Sequence, residues 1–137
     1  GSFTFGVNAN RQLKYVQKLA TTQPFTSRLG TMDAPHWKSR FQVAWNYSRF
    51  SVNAFMNYLS GYDNTTVTPF QKVASYTTVD LSASYELPAV LKGLTFQVRA
   101  ANMFDRIPPF YDSANGYFPG LGSPFGRTID LTLRAKF

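Results

Sequence analysis

Apolar and polar side chains alternate along most of this chain, and the alternation is most regular in the closing stretch GRTIDLTLRAKF. The odd-numbered side chains there are apolar and the even-numbered ones are mostly polar: Ile129, Leu131, Leu133, Ala135 and Phe137 against Thr128, Asp130, Thr132, Arg134 and Lys136. Successive side chains of a β-strand point to opposite faces. The pattern therefore predicts a strand with one apolar and one polar face.

Five earlier segments repeat this two-residue period. Their alternating side chains are Phe3, Phe5, Val7, Ala9, Leu13 and Tyr15; Trp37, Phe41, Val43, Trp45 and Tyr47; Phe50, Val52, Ala54, Met56 and Tyr58; Thr77, Val79, Leu81, Ala83 and Tyr85; and Leu94, Phe96, Val98 and Ala100. No segment has a convincing helical period. The sequence predicts an all-β fold of about six strands, several of them longer than the usual five or six residues.

The links between these strands alternate between short and long. Only Ser48 and Arg49 separate the second strand from the third, which suits a two-residue hairpin turn, and LPAVLKG forms the next short link. The long links cover about residues 18–35, 63–75 and 105–125. In an antiparallel meander, all long loops then lie at one end and all short turns at the other. Outer-membrane β-barrels have this asymmetry.

Aromatic side chains concentrate near both ends of the predicted strands. Those near the short turns are Trp45, Tyr47, Phe50, Tyr85 and Phe137, and those near the long loops are Trp37, Tyr58, Tyr62 and Tyr76. Mostly Val, Leu, Ala and Met lie between them. Two aromatic belts around an aliphatic band are typical of a barrel wall that faces lipid. The alternative is a soluble β-sandwich binding module in which the aromatic rings fill a core.

The predicted fold class is thus an antiparallel up-and-down transmembrane β-barrel segment. A sheet in lipid must close on itself, because backbone groups at an open edge find no hydrogen-bond partner there. The smallest single-chain barrels have about eight strands. About six strands therefore predict a part of a larger barrel.

Composition argues against several other classes. The chain has 137 residues, a net charge of +7 and no Cys, and it contains no run of about 18 apolar residues that would form a transmembrane helix. Its single His36 has no second His or carboxylate cluster at ligand spacing, so we predict no metal site, no cofactor and no catalytic residues. The glycine-rich GYFPGLGSPFG lacks the Lys and the following helix of a phosphate-binding loop. A barrel enzyme is the third and least favoured hypothesis.

Three stretches, SYTTVDLSASYELP, GLTFQVRAANMFDRIPPFYD and SPFGRTIDLTLRAKF, resemble the C-terminal end of TonB-dependent outer-membrane receptors. The resemblance runs from about Pro35 to Phe137. It is most specific in NMFDRIPPF, followed by GR and a strand ending on Phe. The family more often has Leu where Met103 stands. The resemblance implies a plugged barrel of about 22 strands, with residues 1–137 as its C-terminal part and without the plug domain.

The resemblance also implies a function, a location and partners. The function would be active uptake of a scarce, large nutrient, such as a ferric siderophore, cobalamin or a glycan. The location would be the outer membrane of a Gram-negative bacterium, with the C-terminus on the periplasmic side. The expected partners are the lipid bilayer, the remainder of the barrel and its plug, the barrel-assembly machinery, and TonB through the N-terminal part.

Three groups of residues are candidates for these roles. The terminal strand resembles the signal that the assembly machinery reads, and its candidates are Gly126, Leu131, Leu133 and Phe137. The candidates for basic side chains facing the lumen are Lys38, Arg40, Arg99 and Arg134. The candidates for ligand contact in an outer loop are Phe110, Tyr111, Tyr117 and Phe118. We predict no nucleic-acid binding, because most aromatic side chains lie on the face opposite the cations, which separates stacking from charge.

Overall fold

The computed structural model describes residues 1–87 and 93–135. Within this part the chain forms ten strands and no helix: β1 (Ser2–Arg11), β2 (Val16–Gln17), β3 (Thr26–Ser27), β4 (Trp37–Tyr47), β5 (Phe50–Leu59), β6 (Tyr62–Asn64), β7 (Gln71–Val73), β8 (Tyr76–Glu86), β9 (Thr95–Ala101) and β10 (Thr128–Arg134). The described residues accordingly contain no helix that would cross a membrane. The predicted all-β class is confirmed.

Six of these strands form one antiparallel sheet in the order β1-β4-β5-β8-β9-β10. They follow one another as a meander, as the alternating link lengths predict. The remaining four strands form two short hairpins, β2–β3 and β6–β7, inside the long links. We refer to the three long links as loop A (residues 12–36), loop B (residues 60–75) and loop C (residues 102–127).

The short links lie at the end of the sheet opposite these loops. Tyr47 pairs with Phe50, so β4 and β5 are joined by Ser48 and Arg49 alone. Ser48 has a φ of 53°, a left-handed conformation that two-residue hairpin turns of the primed types require. In the second short link, the Leu87 N–H donates to the Leu94 carbonyl oxygen at 2.8 Å. Residues 88–92 of that link lie outside the described residues.

The strand register places the alternating apolar side chains predicted for the six strands on one face, whereas Phe55 and Leu59 of β5 lie on the other. One row across the sheet reads Phe3, Trp45, Val52, Ala83, Val98 and Leu131. The adjacent row, one residue along, reads Thr4, Ala44, Asn53, Ser82, Arg99 and Asp130. We call the first side the apolar face and the second the polar face. The predicted parity of each strand is confirmed.

Two details of the sequence prediction are wrong at the long-loop end. The first strand ends at Arg11, so Leu13 and Tyr15 belong to loop A. Tyr62 and Tyr76 do not continue the aromatic belt of the apolar face. Tyr62 lies in β6 and is 5% exposed, because the chain turns after Leu59 and the parity of β5 ends there.

Tyr76 lies opposite Leu59, on the polar face of β8. Its hydroxyl donates to the Arg106 carbonyl oxygen in loop C at 3.0 Å. The ring therefore joins a strand to a loop.

The buried core of the described part lies among the loops and not beneath the sheet. Its buried members are Leu59, Tyr62, Val73 and Tyr111, and the partly buried side chains packed against them are Met32, Tyr76, Phe118 and Leu121. We call this group the loop cluster. The apolar face of the sheet, by contrast, is open: Phe5 is 73% exposed and Leu131 is 68% exposed. An apolar surface that crosses six strands exceeds what a soluble monomer normally leaves uncovered.

Candidate functional site: a two-faced sheet capped by loops

The apolar face has an aromatic row at the short-turn end. Tyr47, Phe50, Tyr85 and Phe96 lie next to one another on four successive strands. A second group of rings lies beside this row on β1 and β4. The Trp45 ring is 6.1 Å from Tyr47, 5.7 Å from Phe50 and 6.2 Å from Phe3 between centroids. The predicted short-turn belt is confirmed for its described members, and Phe96 is a member that the sequence reading missed.

Smaller aliphatic side chains fill the middle of the apolar face. The central row starts with Phe5 on β1 and continues across the other five strands with Val43, Ala54, Leu81, Ala100 and Ile129. Four strands are also long enough to cross lipid, since β4 and β8 have 11 residues each and β1 and β5 have 10, whereas β9 and β10 have 7 each. A tilted transmembrane strand needs about 9–11 residues.

The polar face carries a hydrogen-bonded centre on β8. The Asp80 carboxylate accepts from the Asn57 side-chain amide at 3.0 Å and from the Asn102 backbone N–H at 3.0 Å. The same Asn57 amide nitrogen lies 3.3 Å from the Thr78 hydroxyl. These bonds connect β5 and β8 to Asn102 at the start of loop C, so both oxygens of the Asp80 carboxylate have hydrogen-bond donors.

All four basic candidates lie on the polar face. The Arg40 guanidinium carbon lies 4.2 Å from the centroid of the Phe55 ring, a cation–π contact. Lys38 lies two residues from Arg40 on β4, nearer loop A. Arg99 pairs in register with Asp130, and Arg134 pairs with Thr95. The predicted group is thus spread over one face, with two members on β4 and two near the β10 edge.

Loop C is fastened at its two ends by a single side chain. The Asp105 carboxylate accepts a hydrogen bond from the Arg127 backbone N–H at 2.8 Å. A Cβ on Gly126 would collide with the same carboxylate, so only glycine fits there in this arrangement. On the other side, the Asn102 side chain accepts from the Arg106 N–H and donates to the Arg106 carbonyl oxygen, both at 2.9 Å.

This clasp between Asp105, Gly126 and Arg127 gives NMFDR and GR a shared structural role that the sequence reading missed. The sequence did contain a hint of this contact, since the two motifs lie at the two ends of loop C. Gly126 was a candidate for the assembly signal, and the structure places it against Asp105.

A buried amide joins loop B to loop C. Asn64 is fully buried, and its amide nitrogen donates to the Asp112 carbonyl oxygen at 3.1 Å and to the Gln71 side-chain oxygen at 3.2 Å. Its own side-chain oxygen accepts from the Thr66 N–H at 3.0 Å and from the Thr66 hydroxyl at 2.6 Å. The Gln71 oxygen also accepts from the Asp112 N–H at 2.8 Å. Neither amide was singled out from the sequence.

Loop A joins the same assembly. The Asp63 N–H donates to the Gly30 carbonyl oxygen at 2.8 Å, and the Tyr111 hydroxyl lies 2.7 Å from the Met32 sulfur. Burial, with a smaller contribution from the nearby Tyr111 hydroxyl, raises the pKa of Tyr62. The three long loops therefore form one packed cap over the loop end of the sheet.

The four ligand-contact candidates have different positions in this cap. Tyr111 is 3% exposed and belongs to the loop cluster, and Phe118 packs against it with 5.5 Å between ring centroids. Phe110, in contrast, is 65% exposed, and Tyr117 is partly exposed. The structure thus brings Tyr111 and Phe118 together for packing and leaves Phe110 as the ring most accessible to a ligand.

The described residues offer no cluster of three or more His, Asp or Glu side chains that would hold a metal ion. A family model described as TonB dependent receptor-like, beta-barrel matches residues 1–103. The chain belongs to the TonB-dependent receptor β-barrel family. Comparison with curated proteins and with solved structures gave no match.

Family membership accounts for the two faces of the sheet. TonB-dependent receptors are receptors and transporters of the bacterial outer membrane, not a class of enzymes, and their barrels work with a plug and with TonB. The match covers β1 to β9 and ends within NMFDR. The terminal strand β10 lies beyond the matched residues. The resemblance of GR and the final alternating strand to TonB-dependent receptors therefore rests on the sequence of these residues and not on the family model.

The predicted assembly signal is only partly within the described residues. Leu131 and Leu133 lie on the apolar face of β10 and are 68% and 66% exposed. Phe137 lies outside the described residues, as does Lys136. The role of this TonB-dependent receptor strand in assembly stays a prediction.

Proposed function

We propose that residues 1–137 are the C-terminal part of the barrel of a TonB-dependent receptor that takes up a scarce, large nutrient by active transport. The observation that carries the proposal is the register of the sheet. An apolar row from Phe3 to Leu131 lies next to a polar row from Thr4 to Asp130, and both cross all six strands. One face is suited to lipid and the other to an aqueous, plugged lumen.

The short turns at one end of the sheet and the long loops at the other support an orientation in the membrane. Outer-membrane barrels have short periplasmic turns and longer extracellular loops. The turn at Ser48 and Arg49 would then be periplasmic, with the C-terminus at the same side, and the cap of loops A, B and C would face the medium. Phe110 and Tyr117 are the cap's candidates for first contact with a ferric siderophore, cobalamin or a glycan.

The exposed apolar side chains at alternate positions of β10 support a role for the terminal strand in assembly. An alternating strand with free backbone groups can add to the edge of another sheet, main chain to main chain, with alternate side chains setting the register. Leu131, Leu133 and Phe137 would be read in this way by the barrel-assembly machinery. Gly126 would act indirectly, through the clasp that fixes where the strand begins.

Energy-dependent uptake is the direct test of this proposal. Cells that produce the whole receptor are supplied with labelled ferric siderophores, cobalamin and oligosaccharides, with TonB present or deleted. We expect one of these nutrients to enter only when TonB is present. Uptake that is identical without TonB, or a receptor that stays monomeric in buffer without detergent as a β-sandwich would, contradicts the proposal.

A further inference from the structure

The polar face contains a groove at the loop end of β4 and β5. It has a volume of about 310 Å³, and its main side chains are Asn8, Asn10, Lys38, Arg40, Leu59 and Leu121. Strands β1, β4 and β5 form its floor, and Gly120 and Leu121 of loop C form one side. The groove therefore lies where the barrel wall meets the cap, on the side from which a nutrient would arrive.

Two cations of this groove, Lys38 and Arg40, form no ion pair with an Asp or Glu of the described residues. Among the described residues, no Asp or Glu lines the groove, and the ion pairs of this part do not include Lys38 or Arg40. Asp80 lines another cavity of the polar face together with Arg40 and Arg99, but no ion pair joins its carboxylate to Arg40. The two Asp80 oxygens already accept from Asn57 and Asn102. The other carboxylates of this face, Glu86 and Asp130, lie opposite Thr95 and Arg99.

The groove is also partly ordered before anything binds. The Arg40 guanidinium carbon lies 4.2 Å from the centroid of the Phe55 ring, and this contact restricts the side chain. A guanidinium can donate two parallel hydrogen bonds to a carboxylate or phosphate. Asn57 is held by its bonds to Thr78 and Asp80. A site whose donors are already placed loses less conformational entropy when a ligand binds.

We infer that this groove binds an anionic ligand group, a carboxylate or phosphate, attached to an apolar body. Lys38 and Arg40 recognise the charge, the amides of Asn8 and Asn10 accept or donate hydrogen bonds beside it, and Leu59 and Leu121 contact the apolar part. The inference rests on the proposed function and narrows it to an anionic class of substrate. Because the site joins the wall to loop C at the outer end, it suits an incoming ligand better than a plug contact.

The test uses the whole receptor in detergent micelles and small probes of matched shape. Benzoate and phenyl phosphate carry the charge, benzyl alcohol is their neutral counterpart, and citrate is an anion without the apolar body. Binding is measured by saturation-transfer NMR at low and high salt. We expect the two aromatic anions to bind more tightly than benzyl alcohol and citrate, with an affinity that falls as salt screens the cations.

The decisive variant is the double substitution Lys38→Gln with Arg40→Gln. We expect it to weaken benzoate binding about tenfold, since each solvent-accessible cation contributes a modest charge interaction. The control, Lys18→Gln with Arg49→Gln, removes the same charge from loop A and the short turn and should leave binding unchanged. Equal losses in both variants, or none in either, would overturn the inference.

Two further outcomes separate this inference from its alternatives. If the groove variant leaves probe binding intact but opens a large conductance in planar bilayers, the two cations hold the plug and the inference is wrong. If the groove variant binds the probes weakly but the unsubstituted receptor shows no TonB-dependent uptake, the groove binds anions and the proposed transport function is wrong. If uptake stands and probe binding does not depend on Lys38 and Arg40, only the inference falls.

Discussion

The Asp105 carboxylate accepts a hydrogen bond from the Arg127 backbone N–H at 2.8 Å, which joins the two ends of loop C. This contact fixes the point at which the chain returns to the sheet. Strand β10 begins at the next residue, Thr128, paired with Ala101. The clasp therefore connects a loop side chain to the register of the terminal strand, and through it to the face on which Leu131 and Leu133 lie.

Substituting Gly126 by Ala should weaken this clasp. The new Cβ would collide with the Asp105 carboxylate, so the loop or the strand start must shift. We expect a loss of about 1–3 kcal/mol in the free energy of unfolding, the range for overpacking at a tight contact. The measurement is urea unfolding of the receptor in liposomes. The matched control is Asp112→Ala in loop C, because Asp112 contacts its neighbours through its backbone and not through its carboxylate. Equal losses of stability in the two variants would show that the clasp does not stabilise the barrel.

Substituting Asn64 by Ala should loosen the cap. The change leaves the Asp112 carbonyl and the Gln71 side chain without the donor they now share, and it removes the acceptor of Thr66. Losing such a buried partner costs about 1–3 kcal/mol. Limited proteolysis on intact cells should then cut loops B and C faster. Asn115→Ala, on an exposed part of loop C, should have no effect, and unchanged cleavage of the Asn64 variant would contradict the rigid cap.

Arginine substitutions should separate the two faces by energy. Leu81→Arg and Val98→Arg place a charge on the apolar face and should destabilise the barrel by about 2–4 kcal/mol near the bilayer midplane. Thr78→Arg and Gln97→Arg, on the polar face, should cost much less. Folding titrations in lipid give the comparison. If both pairs cost the same, the apolar face does not contact lipid.

Deleting Phe137 should impair insertion in cells more than refolding in pure lipid. In liposomes the loss is the burial of one ring, about 1.5–3 kcal/mol, whereas in cells the strand must first be recognised by edge pairing. Inserting Ser after Thr128 should be worse, because a one-residue shift turns Leu131 and Leu133 to the polar face. Membrane-inserted receptor in cells is compared with refolding yield in liposomes. Equal losses in the two settings would limit Phe137 to packing.

The alternation of side chains along each strand made the sheet predictable from the sequence, whereas the cap of loops could not be predicted in this way. A period of two places Val52 and Val98 on one face without any knowledge of distant contacts, and the two residues between Tyr47 and Phe50 fix a hairpin register locally. The parity argument fails where a strand ends. Tyr62 and Tyr76 are aromatic residues near a predicted belt, yet their positions depend on where β5 stops and on which loop packs against them.

The contacts that organise the loops were hidden for a related reason. Asn64 and Gln71 are ordinary polar residues in sequence. Their role arises from their bonds to Asp112 in loop C, which is 48 residues from Asn64 and 41 residues from Gln71. Asp105 and Gly126 were visible as parts of motifs, but only the folded loop brings them together. Arg40 and Lys38 were identified as basic residues of the polar face, whereas the groove beside them depends on where Leu121 folds.

The two faces of this sheet should meet different solvents, lipid on the apolar side and water on the polar side. Single cysteines carrying a nitroxide, placed in turn at Ala54 and Leu81 on the apolar face and at Asn53 and Ser82 on the polar face, distinguish the two environments. Spin-label collision rates with oxygen, which partitions into lipid, and with a water-soluble nickel complex are measured in the receptor embedded in liposomes. We expect high oxygen access at Ala54 and Leu81 and low oxygen access at Asn53 and Ser82, so that the access reverses with each one-residue step along β5 and β8. Equal access on both parities would contradict a lipid-facing wall.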